Sequence, residues 1–404
     1  VGTFKTVPNV EGVGMFDISP IVENFVSADN LATSSSRYKN GLVQKNLPVP
    51  IHLIDKFSGA KNTAVYVVVV ARTTYLGSDG NIYITPQVNS ELFTLFNGYL
   101  KQTNPLIFEE TNYGFNISNF TMDDASAHFF SNAPDVQNAN INDYGTLPIL
   151  KGDKIQKVDL TYLTVTGAVL DEESVPYDIL NGGFAQNNGT VQSKILFFGC
   201  FPGNLQNWSD KFKALVAAGT IEGGFIKISV RGTAFGNPGL SKTYRINVNC
   251  PKLKGYKPIR LTWLNQWGTW DYYTFNMKST KTFSTKGSTY QQLEGTWNER
   301  THKIYGHNGG KKAFRVNTTE KITMNTDFVS EEESEWFEDL INSPEVYILT
   351  EYKEIELAQP SFNTYVLPVR LTTTSYTKKT VANDKLMQYT FEVEKTKTLR
   401  TQSV

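Results

Sequence analysis

Apolar and polar positions alternate along Gly223–Thr233 and Ser241–Asn249, so each segment has one face for a core and one for solvent. Lys154–Gly167 and Val191–Phe201 read as strands as well. Thr63–Tyr75 is the most β-branched run of the chain, and Ser78-Asp-Gly-Asn81 reverses it into Asn81–Thr85 as a hairpin. Helical spacing interrupts this pattern three times before residue 250. Ser19-Pro20 opens a short amphipathic turn with Ile21, Val22 and Phe25 on one face. Ser90 caps a run in which Leu92, Phe93, Phe96, Tyr99 and Leu100 share a side. Ser209–Ala218 runs from a cap at Asn207 or Ser209 to a stop at Gly219.

Beyond residue 250 the strand patterns crowd together. Pro258–Leu264, Tyr272–Lys281, Lys303–Gly306, Lys312–Met324, Val346–Thr350, Tyr365–Thr374 and Leu386–Glu394 all fit, with His307-Asn-Gly-Gly310 as the turn between the third and fourth. One helix interrupts them at about 330–343. Ser330-Glu-Glu-Glu333 is a capping box with acids at the positive end of the helix dipole. Trp336, Phe337, Leu340 and Ile341 form its buried stripe, and Pro344 ends it. The predicted fold is mainly β, a β-rich α+β chain of antiparallel β-sandwich or barrel domains with a few short helices.

Asn112–Thr146 is polar, Asn-rich and without clear period. A loop of that length inside a compact chain is usually functional. Its Asn, Asp and Ser content argues against a core of its own, yet Phe115, Phe120, Phe129 and Phe130 are costly to leave in water. The mixture predicts an interface arm that becomes ordered on a neighbouring subunit.

Composition adds a boundary and several exclusions. Aromatic residues make up 13% of the 404 residues, in keeping with pleated, half-buried surfaces. Residues 1–250 hold 18 basic and 21 acidic side chains, and the remaining 154 hold 21 and 18. Charge density therefore rises near Cys250-Pro-Lys-Leu-Lys-Gly-Tyr-Lys-Pro258, which divides an N-terminal assembly domain, 1–250, from a C-terminal sandwich-like domain, 251–404. The overall balance of 39 basic and 39 acidic residues argues against specific nucleic-acid binding. No apolar run is long enough for a membrane-spanning helix. The first residues also lack the apolar stretch of a signal peptide, so synthesis in a reducing cytoplasm is expected. Cys200 and Cys250 fit that setting as reduced thiols.

The motifs of catalysis are missing from the sequence: there is no nucleophile elbow, P-loop, zinc helix or dinucleotide fingerprint. The expectation is a non-enzymatic protein with no catalytic, cofactor-binding or metal residues. The strongest local signal is Leu261–Phe275, which carries three of the six tryptophans. Trp263, Tyr273 and Phe275 are expected to alternate inward on two strands, with Asn265–Trp270 as the connection and Gly268 supplying its backbone shape. Trp263, Trp267, Trp270, Tyr273 and Phe275 are thus candidate core or subunit-contact aromatics. An aromatic platform for sugar rings is the alternative.

The segment Leu264-Asn-Gln-Trp-Gly-Thr-Trp-Asp-Tyr-Tyr-Thr-Phe275 resembles a pattern in virion proteins of tailed phages of Bacteroidetes, including crAss-like phages. Phe16-Asp-Ile-Ser-Pro-Ile-Val22, Ser343–Leu349, Val366–Leu371 and Asn383–Val393 resemble the same proteins. The resemblance implies a structural part of the neck, tail or baseplate, made in the host bacterial cytoplasm and built into the virion. Its expected partners are copies of itself in a ring and other virion proteins. It carries over no catalytic residues. A baseplate or fibre-adaptor protein contacting host surface glycans is the second expectation.

Overall fold

The computed structural model describes residues 17–32, 36–39, 42–45, 49–99, 117–177, 194–232, 238–249, 255–350, 365–373, 387–396 and 399–400. Over these residues the fold is mainly β, an α+β arrangement of several sheets with a few short helices, and none of the described sheets closes into a barrel. The chain divides into two compact units, residues 1–250 with 263–273, and residues 251–262 with 274–404. The excursion 263–273 is the tip of the tryptophan-rich hairpin, which the sequence places in the second domain and the structure places in the first unit.

In the first unit, β1 (Phe57–Gly59) precedes a long ribbon. Its strands are β2 (Ala64–Val67), β3 (Val70–Ala71), β4 (Thr74–Leu76), β5 (Ile82–Ile84), β6 (Val88–Asn89) and β7 (Phe93–Phe96). β2 pairs with β7, β3 with β6 and β4 with β5, all antiparallel. The helix expected after Ser90 is therefore a strand. Aromatic residues tolerate either period, and an available β-branched partner, Ala64–Val67, decides the matter. Ser19–Val22 does form a helical turn with Pro at its start, but Phe25 is exposed.

The body of the unit holds β8 (Val136–Asn140), β9 (Thr146–Leu150), β10 (Ile155–Leu163), β11 (Val169–Pro176), β12 (Ile195–Gly199), β13 (Phe225–Gly232) and β14 (Tyr244–Asn249). Five of them form a sheet in the order β8-β14-β13-β10-β11, antiparallel except for the parallel pair β8–β14. A second sheet runs β9-β12-β1. Every residue of β9 and β12 is buried, whereas β14 alternates buried and half-buried positions. Two helices, α1 (Pro202–Trp208) and α2 (Asp210–Ala217), follow β12. The Ser209 hydroxyl caps α2 by accepting from Phe212 N–H at 3.0 Å.

Residues 117–146 are packed rather than an arm. They contain β8, and Phe120, Phe129 and Phe130 are buried inside their own subunit. The expectation of a neighbour-dependent arm is corrected here. Trp267 packs on Phe120 and Phe130 and Tyr244 on Phe129, and segment composition cannot register such distant partners. Phe115 and Cys250 lie outside the described residues, and Cys200 is a buried free thiol.

β15 (Ile259–Leu264) and β16 (Trp270–Phe275), whose residues 263–273 belong to the first unit, begin the largest sheet. It continues through β17 (Ser279–Gln292), β20 (Gly310–Asn325), β21 (Val346–Leu349), β22 (Val366–Leu371) and β23 (Thr390–Lys395) in the order β16-β15-β21-β22-β23-β20-β17. The small pair β18 (Gly295–Asn298) and β19 (Thr301–Ile304) lies between β17 and β20. His307–Gly310 does not join two paired strands, as expected from its turn chemistry. β19 pairs back on β18, and β20 pairs with β17.

Helix α3 (Glu331–Asn342) has its capping box complete, Glu333 N–H donating to Ser330 Oγ and Ser330 N–H to the Glu333 carboxylate at 2.9 Å. Trp336, Phe337 and Leu340 are buried, and Phe337 packs against Phe275 and Phe391. Ser330→Ala is expected to lower stability by about 1 kcal/mol. Thermal unfolding of the variant beside the parent chain checks this.

Candidate functional site

The tryptophan-rich hairpin joins several polar contacts of the first unit. Asn265 organises the turn, its side-chain oxygen accepting from the N–H groups of Trp267 and Thr269, both at 3.0 Å. Gly268 takes φ +75° there and passes against the backbone of Asn97, where a Cβ has no room. The Asn265 amide donates to Asp271, whose carboxylate also accepts from the Ser131 hydroxyl at 2.6 Å. Thr269 donates to the Phe130 carbonyl at 2.8 Å, and the Trp270 indole N–H to the Asp29 carbonyl at 2.8 Å. Asp29 is buried and accepts with its carboxylate from the N–H groups of Lys61, Asn62 and Thr63. The Tyr272 hydroxyl meets His52 Nδ1 at 2.8 Å and Thr146 Oγ1 at 3.0 Å. The ring of Trp267 packs on Phe120 and Phe130.

Trp263, Trp267, Trp270 and Phe275 are buried, and Tyr273 is half-buried. Simple inward alternation does not describe the hairpin, because Tyr272, on the opposite side of the pleat from Tyr273, is buried too. Buried on both faces, these rings offer no open surface to a sugar. That corrects the expectation of a tryptophan platform in this segment.

Among the described residues no group of three or more His, Cys, Asp or Glu side chains is placed to hold a metal ion. A recess of about 40 Å³ lies beside His128, Ser131, Asn132 and Asp135. It has room for little more than water. Burial, with Lys242 nearby, lowers the pKa of His128 below the ordinary imidazole value, and Asp135 opposes that shift. His302 and His307 sit instead near the end of the second ribbon, beside Trp297 and Tyr305.

What the structure leaves open to solvent is two β-ribbons. The first spans β2 to β7 and carries only Arg72, Asp79 and Glu91 as charged residues. Val68, Val70, Tyr75, Tyr83, Val88 and Leu92 are exposed along it, with Ile82 70% and Ile84 65% exposed near the turn. At that turn Asp79 accepts from the Tyr83 hydroxyl, the Asn81 amide and the Asn81 backbone, which together hold its pKa at about 2. Tyr75 and Tyr83 stack across the strands at 5.6 Å. The second ribbon is β17 with β20, extended by β18 and β19. At about 3.4 Å per residue its 14-residue strand β17 is roughly 45 Å long. Thr280–Gln291 are all exposed. Leu293 is 83% and Trp297 73% exposed, and Phe283, Ile304 and Phe314 are exposed as well.

No protein-family model matches this sequence, and neither a curated protein nor a solved structure matches it.

The two ribbons differ in charge. Residues 278–325 hold nine basic and three acidic side chains, and residues 326–350 hold eight acidic and no basic ones. Whole-chain balance hides this segregation, which a windowed charge count along the sequence reveals. The ends of the second ribbon's strands are fixed to the sheet by ion pairs, Lys395 to Glu320 at 2.6 Å and Lys321 to Glu392 at 2.8 Å. Further out, Lys286, Arg300, Lys303 and Lys311 are exposed and make no ion pair among the described residues. Exposed aromatic and cationic groups on such a ribbon are suited to surface recognition.

Proposed function

We propose that this chain is a non-enzymatic structural protein of a tailed-phage virion, forming a homo-oligomeric ring in the neck or tail. The observation that carries the assembly part is the pair of ribbons, whose large apolar side chains are bare in the isolated subunit. Large exposed apolar patches on a monomeric protein commonly mark interaction sites. Side chains such as Ile82, Ile84, Leu293 and Trp297 gain roughly 1.5–3 kcal/mol each when covered, and a ring of copies covers them repeatedly. The resemblance of Leu264–Phe275 and the other four segments supplies the virion setting. In this reading the β9-β12-β1 and five-stranded sheets form two layers of a sandwich, which the full burial of β9 and β12 supports. The rings would be made in the host cytoplasm before incorporation beside other neck or tail proteins.

A second reading is a baseplate or fibre-adaptor protein that contacts host glycans. Trp297, exposed at the far end of the second ribbon, is the tryptophan open to a sugar ring. Negative-stain microscopy and light scattering of the purified chain separate assembly from its absence. Closed particles of uniform symmetry are expected. A monomer at micromolar concentration, with or without glycan binding, would exclude the ring.

A further inference from the structure

We propose that the basic ribbon β17–β20 binds the phosphate backbone of duplex nucleic acid without reading its sequence. This goes beyond the structural role above and does not need the ring. The 39 basic and 39 acidic residues of the whole chain cancel, and that balance argues against nucleic-acid binding only where charge is spread evenly. Here it is not. Residues 278–325 hold nine basic and three acidic side chains, and β17 itself carries no acid. Glu320, one of the three acids, is taken up by Lys281 at 3.7 Å and Lys395 at 2.6 Å. Lys286, Arg300, Lys303 and Lys311 are exposed, and their side chains form no ion pair among the described residues.

These four cations are spread along the element rather than gathered at one point. Lys286 lies opposite Asn317 midway along the paired strands, and Lys311 lies opposite Gln291 near their outer end. Arg300 and Lys303 lie beyond, in the turn and second strand of the small pair β18–β19. A small anion needs cations that converge, whereas a row of them suits a linear polyanion. Duplex DNA presents one negative charge per roughly 1.7 Å of its axis, a continuous line of phosphates beside an extended ribbon. Between the cations Thr282, Ser284, Thr285, Ser288, Thr289 and Gln291 are exposed. Hydroxyl and amide groups of this kind donate to phosphate oxygens.

Shape agrees with charge. From Gly310 to Val316, β20 pairs with β17 alone among the described residues, so the outer ribbon stands as two strands. A two-stranded β-ribbon is one of the elements that the major groove admits. Leu293 and Trp297, exposed toward the outer end, are apolar groups of the type that press against base pairs in binders indifferent to sequence. An acidic polysaccharide or an acidic protein shares the negative charge. The two-stranded form and the spacing of the cations along it favour the duplex, and the test includes the other two.

Fluorescence anisotropy of the full-length chain with a labelled random duplex of about 30 base pairs, titrated across salt, decides the question. The parent is expected to bind with a log–log salt slope of about −4, from four phosphate contacts. The combined variant Lys286→Gln, Arg300→Gln, Lys303→Gln and Lys311→Gln should bind about a hundred-fold more weakly at low salt and lose nearly all of that slope. Circular dichroism reports whether it folds. The single variant Lys286→Gln should lower the slope by about one, and carries the test should the combined variant not fold. A control with Lys61→Gln, Lys154→Gln, Lys213→Gln and Lys257→Gln removes the same charge from exposed positions off the ribbon and should bind as the parent does. A parent that binds no duplex at low salt, or a ribbon variant and control weakened equally, would overturn the proposal. Tighter binding of alginate or polyglutamate than of duplex at equal charge would also overturn it, and would assign the ribbon to an acidic glycan or protein. Closed particles that bind no duplex would remove this proposal and leave the ring reading standing. A monomer that binds duplex through the ribbon would do the reverse.

Discussion

Trp270→Ala is expected to cost about 3–5 kcal/mol, a large share of the roughly 5–15 kcal/mol that holds a domain folded. Trp270 is fully buried, its ring stands edge-on to His52 at 5.2 Å, and its N–H satisfies the Asp29 carbonyl. Alanine leaves a cavity where the indole was and an acceptor without its donor. The urea midpoint of the variant measures the loss. Trp297→Ala, on the exposed ribbon, is the matched control and should shift stability by no more than about 0.5 kcal/mol. Equal effects at the two positions would contradict the division between a buried hairpin and a bare ribbon.

Gly268→Ala is expected to destabilise by about 3 kcal/mol although it adds a single methyl group. The left-handed backbone, φ +75°, costs a non-glycine residue about 1–2 kcal/mol. The added Cβ also overlaps the Asn97 carbonyl, which is backbone and cannot swing aside. Gly80, with φ +77° but open space around it, separates the two contributions. Gly80→Ala should show the backbone part alone, about 1–2 kcal/mol at most. Chemical unfolding of both variants, followed by tryptophan fluorescence, tests the difference.

Local signals were legible wherever one side chain settles the matter. Ser330 and Glu333 announce the start of α3, Ser209 caps α2, and Ser78–Asn81 turns the first ribbon. Gly268 was readable as a backbone requirement. Long-range partners were not readable. Phe120 and Phe130 look stranded in a polar segment until Trp267, about 140 positions further on, packs on them. Likewise Leu92, Phe93 and Phe96 have helical spacing, and only pairing with Ala64–Val67 makes a strand of this stretch. His52, Asp29 and Ser131 carried no motif, since each acts through a residue more than a hundred positions away or through backbone N–H groups. Thr63–Tyr75, Asn81–Thr85 and Lys312–Met324 of the ribbons were legible as strands but not as bare ones, because alternation reports a face and not whether anything covers it.

The first unit is discontinuous, and this has a consequence for the order in which the chain folds. The ribosome releases residues 1–250 before 263–273, the piece that carries Trp263, Trp267, Trp270 and Tyr272. Until that piece emerges, Phe120, Phe130, His52 and Ser131 lack the partners that cover them in the finished fold. Closing the unit spans more than two hundred residues between Asp29 and Trp270, a long-range step of the kind that slows folding. Synthesis of the nascent chain therefore sets a clock. The N-terminal body waits incomplete until its last aromatic hairpin, up to residue 273, arrives.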